Sequence, residues 1–307
     1  MEVMRDGAGA PPALRGGAVA IGNFDGVHLG HQAVIGAAVR WARARGAPAI
    51  VATFEPHPSR HFRPEAPPFQ LTSLAQKLRH FAGLGVDGAM VIPFDAALAG
   101  LSAEAFVDRW LVGRLAPRHL VTGADFGFGH RRSGNAATLA ALGASRGFST
   151  EALAPVEAEG APVSSTRVRE ALARGDAGLA TRLLTRPFAI EGPVIHGDKR
   201  GRTIGVPTAN MEAGAYARPR YGVYAVRVRL PAGESRPGVA NFGIRPMFEP
   251  PRELLETWIL DWEGDLYGQS LEVGLVAFLR EERRLDGLEA LKRQILADAE
   301  AARAALG

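Results

Sequence analysis

The sequence predicts an α/β domain built on a parallel sheet, followed by a small antiparallel β-barrel and a C-terminal helix. Three observations point there. Up to about residue 184, short apolar runs alternate with amphipathic stretches of helical length. Beyond it the long helical periods vanish, and short strands separated by glycine and proline turns take over. From Gly287 a last amphipathic stretch puts Leu288, Leu291, Ile295 and Leu296 on one side. The 307 residues, 47% of them hydrophobic, suffice for two domains, taken as 1–184 and 185–307.

Composition narrows the function. With no cysteine, disulfides, thiolate metal sites and cysteine nucleophiles are excluded, and a cytoplasmic location is expected. No run approaches the roughly 18 apolar residues of a membrane span, and the first residues lack the apolar core of a signal peptide. No membrane partner is therefore expected. The formal charge of +4 suits an anionic small substrate as well as nucleic acid. No dense basic block interleaved with aromatics supports the latter, so no nucleic-acid partner is expected.

In chain order, Ala18 to Ile21 reads as a buried strand, and Leu29 to Arg45 as a helix with Ala33, Val34, Ala37, Ala38 and Trp41 at helical spacing. Pro48 to Phe54 is a continuous apolar run suited to a parallel strand. The pattern then recurs: helix 74–84, strand 89–94, helix 102–115, strand 119–122, helix 135–146 and strand 148–153. A helix runs from the Ser164–Arg169 stretch to about Ala173, and a short one covers 178–184. In the second half strands are expected at 190–195, 222–230, 238–242, 254–262 and 271–279.

The chemistry concentrates in loops. Gly22-Asn23-Phe24-Asp25-Gly26-Val27-His28-Leu29-Gly30-His31 joins a strand to a helix start, whose unpaired N–H groups and positive dipole end attract phosphate. His28 and His31, three apart, project from one side of the first turn. Such a pair also occurs at plain surface or core positions; the glycine turn and the preceding strand favour function. Two donors beside an anion site suit nucleotidyl transfer, where charge builds on phosphate oxygens. Gly123-Ala124-Asp125-Phe126-Gly127-Phe128-Gly129-His130 is either a glycine turn with core phenylalanines or a loop bordering a flat ligand. Ser164, Ser165, Thr166, Arg167 and Arg169 crowd hydroxyls and guanidinium groups onto another helix start, an ordinary cap or a second anion cradle.

In the second half, Gly197, Gly201 and Gly205 stand four apart with Lys199 and Arg202 between them. This loop is able to close over phosphates but lacks the Walker pattern, and its chemistry alone fits a basic surface loop as well. Thr208 and Asn210 offer oxygen ligands for Mg²⁺. Glu256 interrupts an otherwise apolar strand, either as a solvated position or as a base.

The string GNFDGVHLGHQ, with H-x-G-H after a strand, resembles the nucleotidyltransferase superfamily and, more narrowly, the bifunctional riboflavin kinase/FMN adenylyltransferases. The segments at 123–129 and 164–169 are similar to that family's G-x-DF-x-FG and S-S-T-x-[IV]-R motifs. Residues 197–210 resemble its G-x-x-x-G-x-x-x-G-x-PTAN string, and 256–261 its E-T-H-x-L-D string. The resemblance implies a Rossmann-like nucleotidyltransferase domain followed by a six-stranded riboflavin kinase barrel. It implies ATP and Mg²⁺, and the substrates riboflavin and FMN. Gly22, Asn23, Phe24 and Gly30 then line the adenylyltransferase nucleotide site with catalytic His28 and His31. Ser164, Ser165, Thr166 and Arg169 hold its triphosphate, and Asp125, Phe126 and Phe128 border the flavin. In the kinase half the residues are the glycine loop with Lys199 and Arg202, the metal ligands Thr208 and Asn210, and the base Glu256. Ala124, Gly127, Met247, Trp258 and Leu285 depart from the family pattern. The competing expectations are an adenylyltransferase for another phosphate nucleophile, an aminoacyl-tRNA synthetase relative lacking the lysine-rich loop, and an RNA-binding protein with a degenerate catalytic domain.

Overall fold

A computed structural model describes residues 1–5, 7–197, 205–245, 251–283 and 286–307. The chain divides into two compact units, Met1–Pro67 with Leu74–Ser164, and Pro68–Ser73 with Ser165–Gly307. The division falls ahead of residue 184, because the helix Ser165–Arg174 packs on Ala177–Leu184, which packs on strands of the second unit.

The first unit is a parallel six-stranded sheet of β1 (Glu2–Met4), β2 (Ala18–Ile21), β3 (Ala49–Glu55), β4 (Gly88–Pro93), β5 (His119–Gly123) and β6 (Ser149–Leu153), in the order β1-β4-β3-β2-β5-β6. Both faces are covered, which is why β2 and β3 are apolar at consecutive rather than alternate positions. Ala18 and Ala20 face one layer with Val34, Ile35, Ala38 and Phe81; Val19 and Ile21 face the other with Trp110, Leu111 and Leu139. The alanines on the first face let the Leu29–Arg43 helix lie close to the strands. From β2 the chain steps to β3 on one side, while β5 lies on the other. The order therefore reverses at β2, opening a crevice at the carboxyl ends of β2 and β5. A two-residue hairpin, β7 (Glu157–Ala158) with β8 (Ala161–Pro162), precedes the end of this unit.

The second unit is an antiparallel six-stranded sheet of β9 (Phe188–Pro193), β10 (Ala209–Glu212), β11 (Gly222–Arg229), β12 (Ser235–Arg245), β13 (Arg252–Ile259) and β14 (Ser270–Arg280), in the order β10-β13-β12-β11-β14-β9. Its two ends meet where the Ile195 N–H donates to the Asn210 carbonyl at 2.8 Å, so the barrel is nearly closed. The Leu288–Leu306 helix packs Ala299 and Ala302 against Val223, Ala225 and Val239. Arg280 grips the buried Asp298 carboxylate with two hydrogen bonds of 2.8 and 2.6 Å, and Arg303 grips Asp261 at 2.6 and 2.8 Å. These forks fix the helix along the barrel.

Besides the two-residue strands β7 and β8, two strands of the six-stranded sheets escape a reading by periodicity. β1 is three residues long beside a glycine- and proline-rich segment, and β10 has a buried asparagine at its centre. Neither offers enough alternation to register as a strand.

Candidate active sites

Both glycine-rich loops of the first unit leave the sheet at the reversal crevice, the 22–31 loop after β2 and the 123–130 loop after β5. The first is held in a costly conformation: Phe24 has φ 50° and the β-branched Val27 has φ 41°, in the left-handed region that non-glycine residues avoid. Several contacts hold it there. The Thr53 hydroxyl on β3, itself fully buried, donates to the Asn23 carbonyl at 3.1 Å. The Gln32 amide donates to the Val27 carbonyl at 2.9 Å, and the buried Phe24 ring meets Phe81 and His31 edge-on.

His28 is the cap of the Leu29–Arg43 helix: its Nδ1 accepts from the His31 N–H at 3.3 Å. An imidazole accepting through Nδ1 carries its proton on Nε2, so the cap fixes His28 as an Nε2–H donor. The two imidazoles stack with ring centres 3.6 Å apart. A Cβ at Gly30 would press on the His28 ring at 3.2 and 3.3 Å and lie 3.7 Å from the Val163 carbonyl. The glycine thus seats the His28 ring and brings the segment that ends in Ser164 alongside. Gly30→Ala is therefore expected to displace the imidazole, read as a shift of the His28 ring resonances in NMR spectra.

In the second loop Asp125 is exposed and Phe126 half-buried. Phe128 lies in the core against Phe106 and stacks under Phe126 with centres 5.5 Å apart, so it supports its neighbour rather than offering a face of its own. Ala124 is exposed, where its methyl has no polar group to offer.

In the second unit, Ser165 and Thr166 form the first turn of the Ser165–Arg174 helix. Arg169 Nε donates to the Phe69 carbonyl at 2.7 Å, with the guanidinium over the Phe69 ring. One part of that guanidinium is therefore an anchor for the 68–73 segment, which Gln70 also ties down through backbone bonds with Ala215 and Ala217.

The barrel brings three further polar residues into line. Asn210 on β10, Glu256 on β13 and Asn241 on β12 are direct cross-strand partners, so they share one face of the sheet at roughly 5 Å intervals. Asn210 Oδ1 and Asn241 Oδ1 are buried and accept no hydrogen bond among the described residues. Such oxygens cost free energy in the empty protein and have a use once a cation or a hydroxyl arrives. Glu256 Oε2 accepts from Arg245 at 2.7 Å, and Arg245 is also held by Glu282 at 2.9 Å. Burial works against the Arg245 charge, but the two carboxylates outweigh it and its pKa is raised. Gly197 has a steric duty, since a Cβ there would sit 2.5 Å from the Asn210 amide nitrogen; Gly205 turns the chain at φ 79°.

On the opposite face of β13, a cavity of about 290 Å³ is lined by Thr208, Thr257, Trp262, Asp265, Leu266 and Tyr267, among others. Thr257 is fully buried and its Oγ1 has no hydrogen-bond partner among the described residues. Trp258 turns away from this cavity and packs into the apolar cluster beneath the C-terminal helix, which gives the departure at that position a structural duty. Lys199, Gly201, Arg202, Met247 and Leu285 lie outside the described residues.

Sequence reading missed Thr53, Asn241, Arg245 and Thr257. An isolated threonine or asparagine within a strand carries no signal until the register shows what stands beside it.

The FAD synthetase family model matches residues 10–167 and the riboflavin kinase family model residues 184–306. A bifunctional riboflavin kinase/FMN adenylyltransferase from Pseudomonas fluorescens is 46% identical over 99% of this chain and 97% of its own. The protein of the same name from Escherichia coli K12 is 42% identical over 94% of this chain and 92% of its own. Among solved structures, that of a macrolide-efflux protein from Streptococcus pneumoniae superposes with a TM-score of 0.87 at 29% identity, covering 99% of both chains.

Proposed function

This chain belongs to the bifunctional riboflavin kinase/FMN adenylyltransferase family, and from that premise we propose how its residues divide the two reactions. It phosphorylates riboflavin with ATP to give FMN, then adenylylates FMN with a second ATP to give FAD and pyrophosphate. ATP is the co-substrate of both steps.

The adenylyl step is assigned to the 22–31 loop. The observation that supports it most is the His28 cap, which sets Nε2–H as a donor beside a helix start. Charge grows on the α-phosphate oxygens as pyrophosphate leaves, and His28 and His31 stabilise it. Gly22, Asn23 and Phe24 line the nucleotide site. Ser164, Ser165, Thr166 and Arg169 hold the triphosphate. Asp125 and Phe126 border the flavin, with Phe128 behind. The attacking FMN phosphate is already ionised, so no base is needed here.

The kinase step is assigned to the Asn210–Glu256–Asn241 row. The terminal hydroxyl of riboflavin has to lose a proton, and Glu256 accepts it through Oε1 while Arg245 occupies Oε2. The oxygens of Thr208 and Asn210 fit Mg²⁺, a fit supported by the buried Asn210 Oδ1, which accepts no hydrogen bond among the described residues. When bound, the cation would neutralise the β- and γ-phosphate oxygens. Gly197, Lys199, Gly201, Arg202 and Gly205 are assigned to binding those phosphates. The cavity beside Thr208 receives the nucleotide. We assign the first reaction to 185–307 and the second to 1–184, and place the protein in the cytoplasm without nucleic-acid or membrane partners. No helix among the described residues is long and apolar enough to cross a membrane.

Incubation with riboflavin, ATP and Mg²⁺, with flavins resolved by chromatography, tests the reading; absence of both FMN and FAD overturns it. Thr257→Val tests the cavity separately. Removing a buried hydroxyl that has no partner among the described residues should raise the melting temperature by a few degrees, while the KM for ATP in riboflavin phosphorylation rises several-fold.

A further inference from the structure

The loop after β5 is built around a guanidinium group. A Cβ at Gly127 would lie 2.8 Å from Arg132 Nε, 2.9 Å from Nη2 and 3.1 Å from Cζ. A side chain at 127 would push that fork aside. Arg132 Nη2 reaches the Asp125 carbonyl at 3.4 Å, a long contact that orients the fork without neutralising it. Arg131 and Arg132 both occupy left-handed backbone conformations, φ 53° and 58°, where arginine is strained and glycine is not. Arg132 is exposed and forms no ion pair with a carboxylate among the described residues. The chain thus holds this arginine in an unfavourable backbone state, lays its fork over Gly127, and pairs it with no carboxylate among the described residues. It does so in one of the two loops at the reversal crevice, where α/β sheets bind ligands.

We propose that Arg132 is a binding residue for a substrate phosphate in the adenylyl step, and that this phosphate is the phosphomonoester of FMN. The assignment rests on the adenylyltransferase reading of this unit. A guanidinium matches two phosphate oxygens at once, and Asp125, whose carbonyl Arg132 touches, lies in the loop assigned to the flavin. Holding the dianion by its spare oxygens positions FMN for attack on the α-phosphate of ATP.

The test uses Arg132→Gly, because the φ of 58° is glycine's own territory and the guanidinium is removed without adding strain. The full chain is assayed for FAD formation with FMN and ATP varied in turn. The KM for FMN should rise at least about tenfold, with the KM for ATP within twofold and riboflavin phosphorylation unchanged. The double variant Gly127→Arg/Arg132→Gly puts a guanidinium back into the same space from the other end of the loop, and should recover most of the FMN affinity. An unchanged KM for FMN in Arg132→Gly overturns the proposal. So does a rise confined to ATP, which would assign the cation to the nucleotide's phosphates. If the unaltered protein forms no FAD, the adenylyltransferase reading fails instead, and the two failures are distinct.

Discussion

Glu256→Gln should reduce riboflavin phosphorylation by about 10²–10⁴-fold while FMN is still converted to FAD. The size is that of losing a general base, the role assigned to Glu256, and the specificity follows from its place on β13. Glutamine has the shape of glutamate, and its amide oxygen still accepts from Arg245, so the link between β12 and β13 survives. The proton acceptor does not. Residual activity comes from holding riboflavin and the nucleotide together, which the substitution does not touch. Flavin chromatography after separate incubations with riboflavin and with FMN checks both halves of the statement. If Glu256→Gln phosphorylates riboflavin normally, the base lies elsewhere and the polar row has another purpose.

His28→Asn should have the complementary effect, lowering FAD formation by about 10²–10³-fold while FMN accumulates from riboflavin. Asparagine is chosen over alanine because it is itself a good helix cap, able to accept the His31 N–H and preserve the turn. What disappears is the imidazole donor stacked on His31. His28→Ala should lose the same activity and some stability besides, roughly 1 kcal/mol for the lost cap. A His28 substitution that stops riboflavin phosphorylation as well would show that the two reactions are not divided between separate residues as assigned.

Much of this was legible in the residues themselves. The apolar runs at 18–21 and 48–54 suit buried strands, which is what they form, and the histidine pair gained meaning from the turn that precedes it. Elements whose identity depends on partners far along the chain stayed hidden. β10 reads as polar until Asn210 is seen opposite Glu256, and the packing of Phe128 against Phe106 has no signal in the sequence. Arg169 is a comparable case, since the helix start suggests phosphate binding but says nothing of the Phe69 carbonyl, a hundred residues back, that it also anchors. Thr53 and Arg245 act by holding other groups, and only three-dimensional neighbours reveal such duties.

The short segment Pro68–Ser73 gives the gene an unexpected indivisibility. The chain passes between its compact units at 67/68, 73/74 and 164/165. A fission at 164/165 would strand Phe69 from Arg169, and one near 184 would still part Gln70 from its bonds with Ala215 and Ala217. Descendants split at either of these points to encode the two activities on separate genes would have to replace these contacts.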